Sequence, residues 1–277
     1  MRRRSTPVLA LKVALLGAYF VVMAFPIVWI VLTSIKPTPE IITFPVQYLP
    51  RHVTFDHYYR VWRSTNFPAY FKNSMIVSLA SAVATTALAL FGGYSLARFR
   101  FRGKQPTLVL FLITQMIPVV VIIVPLYMVF ASLKLIDTLW SLVIVYTVLN
   151  IPFCTLLVRG FVDTIPSTLE EAAMVDGATR PQAIVRIILP VVLPGVVATY
   201  VFAFIGAWNE LFFSVMFLNS EAVKTVPVGI NTFIGKYNIS WGMMTASAVI
   251  ALIPSLVTFG IIQKYLIQGL TAGSVKA

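Results

Sequence analysis

The stretch 159–190, RGFVDTIPSTLEEAAMVDGATRPQAIVRIILP, is polar and rich in helix signals, yet it lies between two long apolar runs. Ser167 with Glu170, and Thr168 with Glu171, have the S/T-x-x-E spacing of a capping box, which predicts a helix starting just after Pro166. Asp176-Gly177 supplies a stop, because glycine takes the left-handed backbone without a Cβ penalty. Thr179, Pro181 and Gln182 open a second helix. On the first, i, i+3, i+4 spacing puts Leu169, Ala172, Ala173 and Asp176 on one face, and small side chains there suit close entry into a partner's groove. Alanine is also the best helix former, so a hairpin that merely joins two membrane helices accounts for the same composition.

Working outward, the chain has 277 residues of which 59% are hydrophobic and 11% charged, too few polar side chains to cover a water-soluble globule of this size. A helix needs about 20 apolar residues to cross roughly 30 Å of hydrocarbon. Six runs qualify, at 13–33, 74–97, 107–130, 138–157, 191–218 and 245–262. The reading is an all-α membrane protein, a single domain of six transmembrane helices over 1–277, interrupted by the polar loop 159–190. The first run exceeds the apolar core of about 7 to 15 residues found in a secretory signal, and reads as a retained anchor helix.

Basic residues gather before the first run (Arg2, Arg3, Arg4, Lys12) and before the third (Arg98, Arg100, Arg102, Lys104), which places both termini in the cytoplasm. Arg51, Arg60 and Arg63 fall in the longer outer segment 36–72, where the bias counts for less. The net charge of +12 is scattered over loops without a basic stripe or stacking aromatics, so it sets topology and does not point to nucleic acid. Within 36–72, FDHYYRVWR at 55–63 suits either an interfacial amphipathic helix or a loop helix packed on other outer segments. Prolines 26, 118, 125, 152, 194 and 254 lie inside apolar runs and favour bends. The lone Cys154 excludes an internal disulfide and a thiolate metal site.

Chemistry-bearing motifs are scarce. Gly103-Lys104 and Gly235-Lys236 lack the Ser or Thr of a phosphate loop, no zinc or nucleophile-elbow motif occurs, and no catalytic residue or metal ligand is assigned. Asn209 and Glu210 stand among the aromatics of the fifth run, where an ionisable group faces protein or water. They are candidates for lining a solute pathway, or for an interhelical hydrogen bond and a carboxylate near the outer interface. Gln115 and Asn150 are weaker candidates, since such groups commonly serve helix packing. An ion-coupled transporter would show an inverted repeat and several intramembrane carboxylates, and only Glu210 qualifies.

Glu171, Ala172, Ala173, Gly177, Ile187, Leu189 and Pro190 fill E-A-A-x3-G-x9-I-x-L-P, which resembles the EAA loop of permease subunits in binding-protein-dependent ABC importers. An aromatic residue often stands where this chain has Ile184, which bears on a local packing contact. The likeness extends to FGGYSLARFRFRGK at 91–104, AWNELFF at 207–213, KTVPVGI at 224–230 and the end GLTAGSVKA at 269–277, which resemble the MalG-like carbohydrate branch. The resemblance implies a noncatalytic permease subunit in a bacterial or archaeal cytoplasmic membrane, forming half of a sugar-conducting pore among membrane lipids. Its implied partners are a dimer of ABC ATPases carrying the ATP and magnesium, a second, nonidentical permease, and an extracytoplasmic sugar-binding protein met by the loop 219–244. The implied coupling residues are Leu169, Glu170, Glu171, Ala172, Ala173, Met174, Asp176, Gly177 and Ala178. A permease for another solute class shares the same loop and is the nearest alternative.

Overall fold

The computed structural model describes residues 6–235 and 237–272, with side chains over 9–235 and 237–263. Arg2, Arg3, Arg4 and the last five residues of the tail, Lys276 included, lie outside the described residues. Among those described, the chain is helical, with one isolated antiparallel bridge between Ile234 and Ile239. The long elements are α1 (Thr6–Ser34), α4 (Phe67–Arg98), α7 (Leu139–Asp163), α10 (Leu189–Asn209) and α13 (Trp241–Ala272). Between them lie α2 (Thr38–Ile41), α3 (Asp56–Arg63), α5 (Lys104–Met116), α6 (Val119–Ser132), α8 (Thr168–Val175), α9 (Arg180–Ala183), α11 (Phe212–Phe217) and α12 (Val226–Asn231). Five helices, at Leu9–Ser34, Phe67–Arg98, Leu139–Asp163, Arg180–Asn209 and Trp241–Gln263, are long and apolar enough to cross a bilayer.

The third run, expected at 107–130 with bends at its prolines, is divided into two helices. α5 and α6 meet at 102°, so a sixth crossing exists only if this bent pair counts as one. The cause is local: Pro118 offers no N–H, and its ring forces Ile117 into extended backbone (φ −77, ψ 121), which ends α5. The run expected at 191–218 is broken as well, since α10 stops at Asn209, Glu210 is extended (φ −74, ψ 126), and α11 restarts at Phe212. The prolines at 26, 125, 152, 194 and 254 remain inside helices.

The chain divides into two units. In the first, Met1–Pro68 with Gly229–Ile253, the loop after α1 is ordered around Lys36, which is 1% exposed. Its ammonium donates to the Gln47 carbonyl at 2.5 Å and sits 4.6 Å from the Trp29 ring, a cation–π contact that offsets part of its desolvation. α3 buries His57 and Val61 and leaves Tyr59 and Trp62 exposed, so it has both a protein-packed side and an open aromatic side. His57 Nε2 donates to the Lys36 carbonyl at 2.9 Å.

In the second unit, Ala69–Val228 with Pro254–Ala277, an apolar cluster joins α4, α6, α7 and α11 through Val77, Phe130, Leu142, Tyr146, Phe213 and Phe217. Lower on α4, the backbone approaches α7 closely. A Cβ on Gly93 would stand 2.8 Å from the Val158 side chain and 2.9 Å from the Arg159 nitrogen, and one on Gly92 would stand 3.1 Å from Thr155. Without a hydrophobic drive between helices in lipid, this small-residue contact is where dispersion holds the pair together. Gly93→Leu is expected to lower the thermal unfolding midpoint of the detergent-solubilised protein, by an overpacking cost of about 1–3 kcal/mol. Gly160→Leu serves as control, because nothing lies within 4 Å of its Cβ position.

Candidate functional site

The loop between α7 and α10 is built around one buried carboxylate. Glu170 is 6% exposed, accepts a 2.7 Å hydrogen bond from the Tyr94 hydroxyl, and forms an ion pair with the Arg98 guanidinium. The same guanidinium donates to the Ile165 carbonyl at 2.8 Å. Two residues at the C-terminal end of α4 therefore hold both the entry to α8 and its first turn. A buried carboxylate stripped of such partners would be strongly destabilising, so the pair constrains how α8 is rotated about its axis.

That rotation corrects two expectations. α8 begins after Pro166 as the spacing predicted, but the Ser167 capping box does not form: Ser167 is helical (φ −64, ψ −22) and makes no side-chain cap, and Glu170 is drawn to α4 and does not reach back. Second, Leu169, Ala172, Ala173 and Asp176 do not share one open face. Ala173 follows Glu170 inward and is 7% exposed. The open side is contiguous and consists of Thr168, Leu169, Glu171, Ala172, Val175 and Asp176, with Val175 87% exposed. Met174 and Ala178 are half-buried at its margin.

The C-terminal stop stands as expected. Gly177 has φ +87 with open space around its Cβ position, so glycine is required here by backbone conformation and not by crowding. Ala178 N–H donates to the Ala173 carbonyl at 3.0 Å and Gly177 N–H to the Met174 carbonyl at 3.1 Å, closing the helix. The second helix is capped as the sequence indicates, with the Gln182 side chain accepting from Thr179 N–H at 2.8 Å. Arg180 stacks 5.2 Å from the Phe99 ring centre, a further tie to the segment following α4.

One feature was not legible. Ile184–Ile188 forms a π turn between α9 and α10, so the I-x-L-P end of the motif coincides with a widened helix. Pro190 is the signal available in the sequence: it cannot donate, and its ring crowds the carbonyl four residues back. Ile184 opens this turn and is half-buried.

The four polar membrane candidates separate. Glu210 lies in the break after α10, where its carboxylate accepts from Phe213 N–H at 3.1 Å, Ser214 N–H at 3.3 Å and the Tyr146 hydroxyl at 2.6 Å. It thus caps α11 and satisfies backbone donors that lipid could not. Asn150 donates to the Tyr146 carbonyl at 2.8 Å, so these two side chains meet the same tyrosine. Asn209 is exposed and donates to Ile205 at 3.0 Å. Gln115 is exposed in the last turn of α5, beside a mostly apolar groove of about 490 Å³ between α5, α6 and α7.

Residues 89–272 match the family described as binding-protein-dependent transport system inner membrane component, and the chain belongs to it. It is a multi-pass membrane protein. Among its relatives, the diacetylchitobiose uptake system permease protein DasC of Streptomyces coelicolor is 38% identical over 258 residues, covering 93% of each chain. The trehalose/maltose transport system permease protein MalG of Thermococcus litoralis is 32% identical over 260 residues, covering 92% of each. A chain in the crystal structure of a bacterial ABC transporter involved in the import of the acidic polysaccharide alginate superposes with TM-score 0.82 over 96% of this chain and 99% of that one. At 22% identity this likeness concerns the fold.

Glu210→Leu would leave the Phe213 and Ser214 backbone donors unpaired, each worth about 1–3 kcal/mol when buried, while the Tyr146 hydroxyl would keep Ser214 Oγ. The expected result is a marked fall in unfolding midpoint for Glu210→Leu and a small one for Glu210→Gln, which retains an acceptor. Equal midpoints for the two variants would remove the capping role.

Proposed function

We propose that this chain is the transmembrane permease subunit of an ATP-driven, binding-protein-dependent sugar importer, forming half of the pore and coupled to a separate ATPase through α8. The observation that carries this reading is the asymmetry of α8: one side is pinned to α4 by a buried ion pair, and the other is an unbroken exposed patch headed by Leu169, Glu171, Ala172 and Val175. A helix held so firmly from behind transmits force applied to its front. ATP can shift the pore only by the difference in its affinity for two ATPase arrangements, and a loose loop would dissipate that difference.

The chain hydrolyses nothing itself; ATP and magnesium stay with the ATPase dimer. A second, nonidentical permease completes the pore, and the loop 219–244 faces the extracytoplasmic binding protein, with both termini in the cytoplasm. Names among the relatives support an oligosaccharide as solute, since they include diacetylchitobiose, trehalose/maltose and galactooligosaccharide systems. Asn209 and Gln115, the exposed members of the polar set, are better placed to meet solute than Glu210 and Asn150, whose groups are engaged within the fold.

Gly177→Val forces a β-branched residue into left-handed backbone at about 1–2 kcal/mol and misdirects the end of α8. Glu171→Lys reverses a charge on the open face. Both variants are expected to insert in the membrane at normal levels and to lose labelled-sugar uptake in cells expressing the whole system. A cysteine at Ala172 is expected to crosslink to the ATPase in native vesicles, and one at buried Ala173 is not. Normal uptake by both variants, with no crosslink from Ala172, would refute the assignment.

A further inference from the structure

α4 is fastened at both ends to loops that are remote in sequence. At its inner end Tyr94 and Arg98 hold Glu170 and the Ile165 carbonyl. At its outer end the Tyr70 hydroxyl donates to Glu221, and Asn73 Nδ2 donates to the carbonyls of Ala222 and Lys224, both at 2.9 Å. At the next residue, Ser74 Oγ accepts from Val226 N–H at 2.8 Å. Asn73 and Ser74 are 8% and 3% exposed, so water competes little for these bonds. The turn before α7 supports the same loop from another side: Asp137 accepts from the Asn219 and Ser220 amides at 2.8 Å each.

Between its two ends α4 is uninterrupted. At 1.5 Å per residue, Tyr70 and Arg98 stand about 42 Å apart along one hydrogen-bonded helix. Among the long described helices it is the one without an interior proline. The direct chain route from α8 to residue 219 is the contrary case. It runs through the π turn at Ile184–Ile188, Pro194 inside α10, and the break at Glu210 before α11. Each of these is a place where a displacement can be absorbed. A displacement applied at α8 therefore reaches the loop 219–226 with least loss by way of α4.

Building on the coupling role assigned to α8, we propose that α4 is the strut linking that helix to the outer loop 219–226, and that Tyr70 and Asn73 are positioning residues of the transport cycle. In this arrangement nucleotide-driven movement of α8 and rearrangement of 219–226 are one event. By linkage, whatever binds 219–226 biases α8 by the same free energy.

The test is hydrogen exchange on the complete transporter in lipid nanodiscs, with and without ATP and vanadate. In the parent protein, nucleotide trapping is expected to change amide exchange by at least about threefold both at 168–177 and at 219–226. In the double variant Tyr70→Phe/Asn73→Ala, the change at 168–177 is expected to persist and that at 219–226 to shrink below about 1.5-fold. Unaltered protection along the middle of α4 verifies that the variant is folded. The strut is overturned if 219–226 responds equally in the double variant, or if it stays silent in the parent while 168–177 responds. Silence at 168–177 in the parent would instead overturn the coupling role of α8, and the strut with it.

Discussion

The arrangement of the loop depends on a charge taken out of water. Glu170 is separated from Arg98 by 72 residues of sequence, yet the two side chains, 8% and 13% exposed, neutralise each other where the loop meets α4. Removing either partner would leave the other buried and uncompensated, a penalty of about 3–5 kcal/mol. Such a pair is weak evidence of stability in itself, since an apolar pair of the same volume could pack as well. What it supplies is orientation. A carboxylate has one place to go, so α8 has one permitted rotation, and its remaining residues are sorted into an inner side with Ala173 and an outer side with Glu171, Ala172 and Val175.

A second constraint acts within the spans. In hydrocarbon every interrupted helix must find other partners for the backbone groups it frees. The break after α10 is closed by a side chain, Glu210, whose carboxylate replaces missing carbonyl acceptors for the first turn of α11. The entry to α10 is handled differently: the hydrogen-bond ring is widened, with Leu189 N–H reaching the Ile184 carbonyl, one residue beyond the usual partner. At both of these interruptions the freed backbone finds an acceptor, and Glu210, an ionisable residue within the spans, serves as a cap.

Most of the spans were legible because hydropathy integrates over about twenty residues, and errors at single positions average out. The interruptions were not, because they depend on context that no window carries. Ile117-Pro118 and Ile151-Pro152 are the same dipeptide in comparable apolar surroundings. The first breaks its run by 102°, while the second is buried inside an intact α7. In α7 the neighbours packed around Pro152 hold the helix through the missing hydrogen bond, whereas Pro118 is exposed and has no such enclosure. The stop at Gly177 was readable for the opposite reason, since left-handed backbone is a purely local demand. The box at Thr179 formed, whereas the one at Ser167 did not, since Glu170 exchanged a local bond for a distant ion pair.

Glu170 and Glu171 make the same point at the scale of one residue. As neighbours of identical chemistry they cannot be ranked from sequence, and the capping-box spacing treats them alike. Adjacent positions on a helix point about 100° apart, so when one faces the interior the next faces away. The fold uses Glu170 to hold α8 and thereby obliges Glu171 to stand in solvent, outside the ion pair. It follows that the glutamate opening the E-A-A pattern contributes little to holding the loop together. If the open side of α8 is where an ATPase seats, the outward carboxylate acts on the partner and the inward one on the lever, and charge reversal at the two positions would fail for different reasons: lost docking in one, lost anchoring in the other.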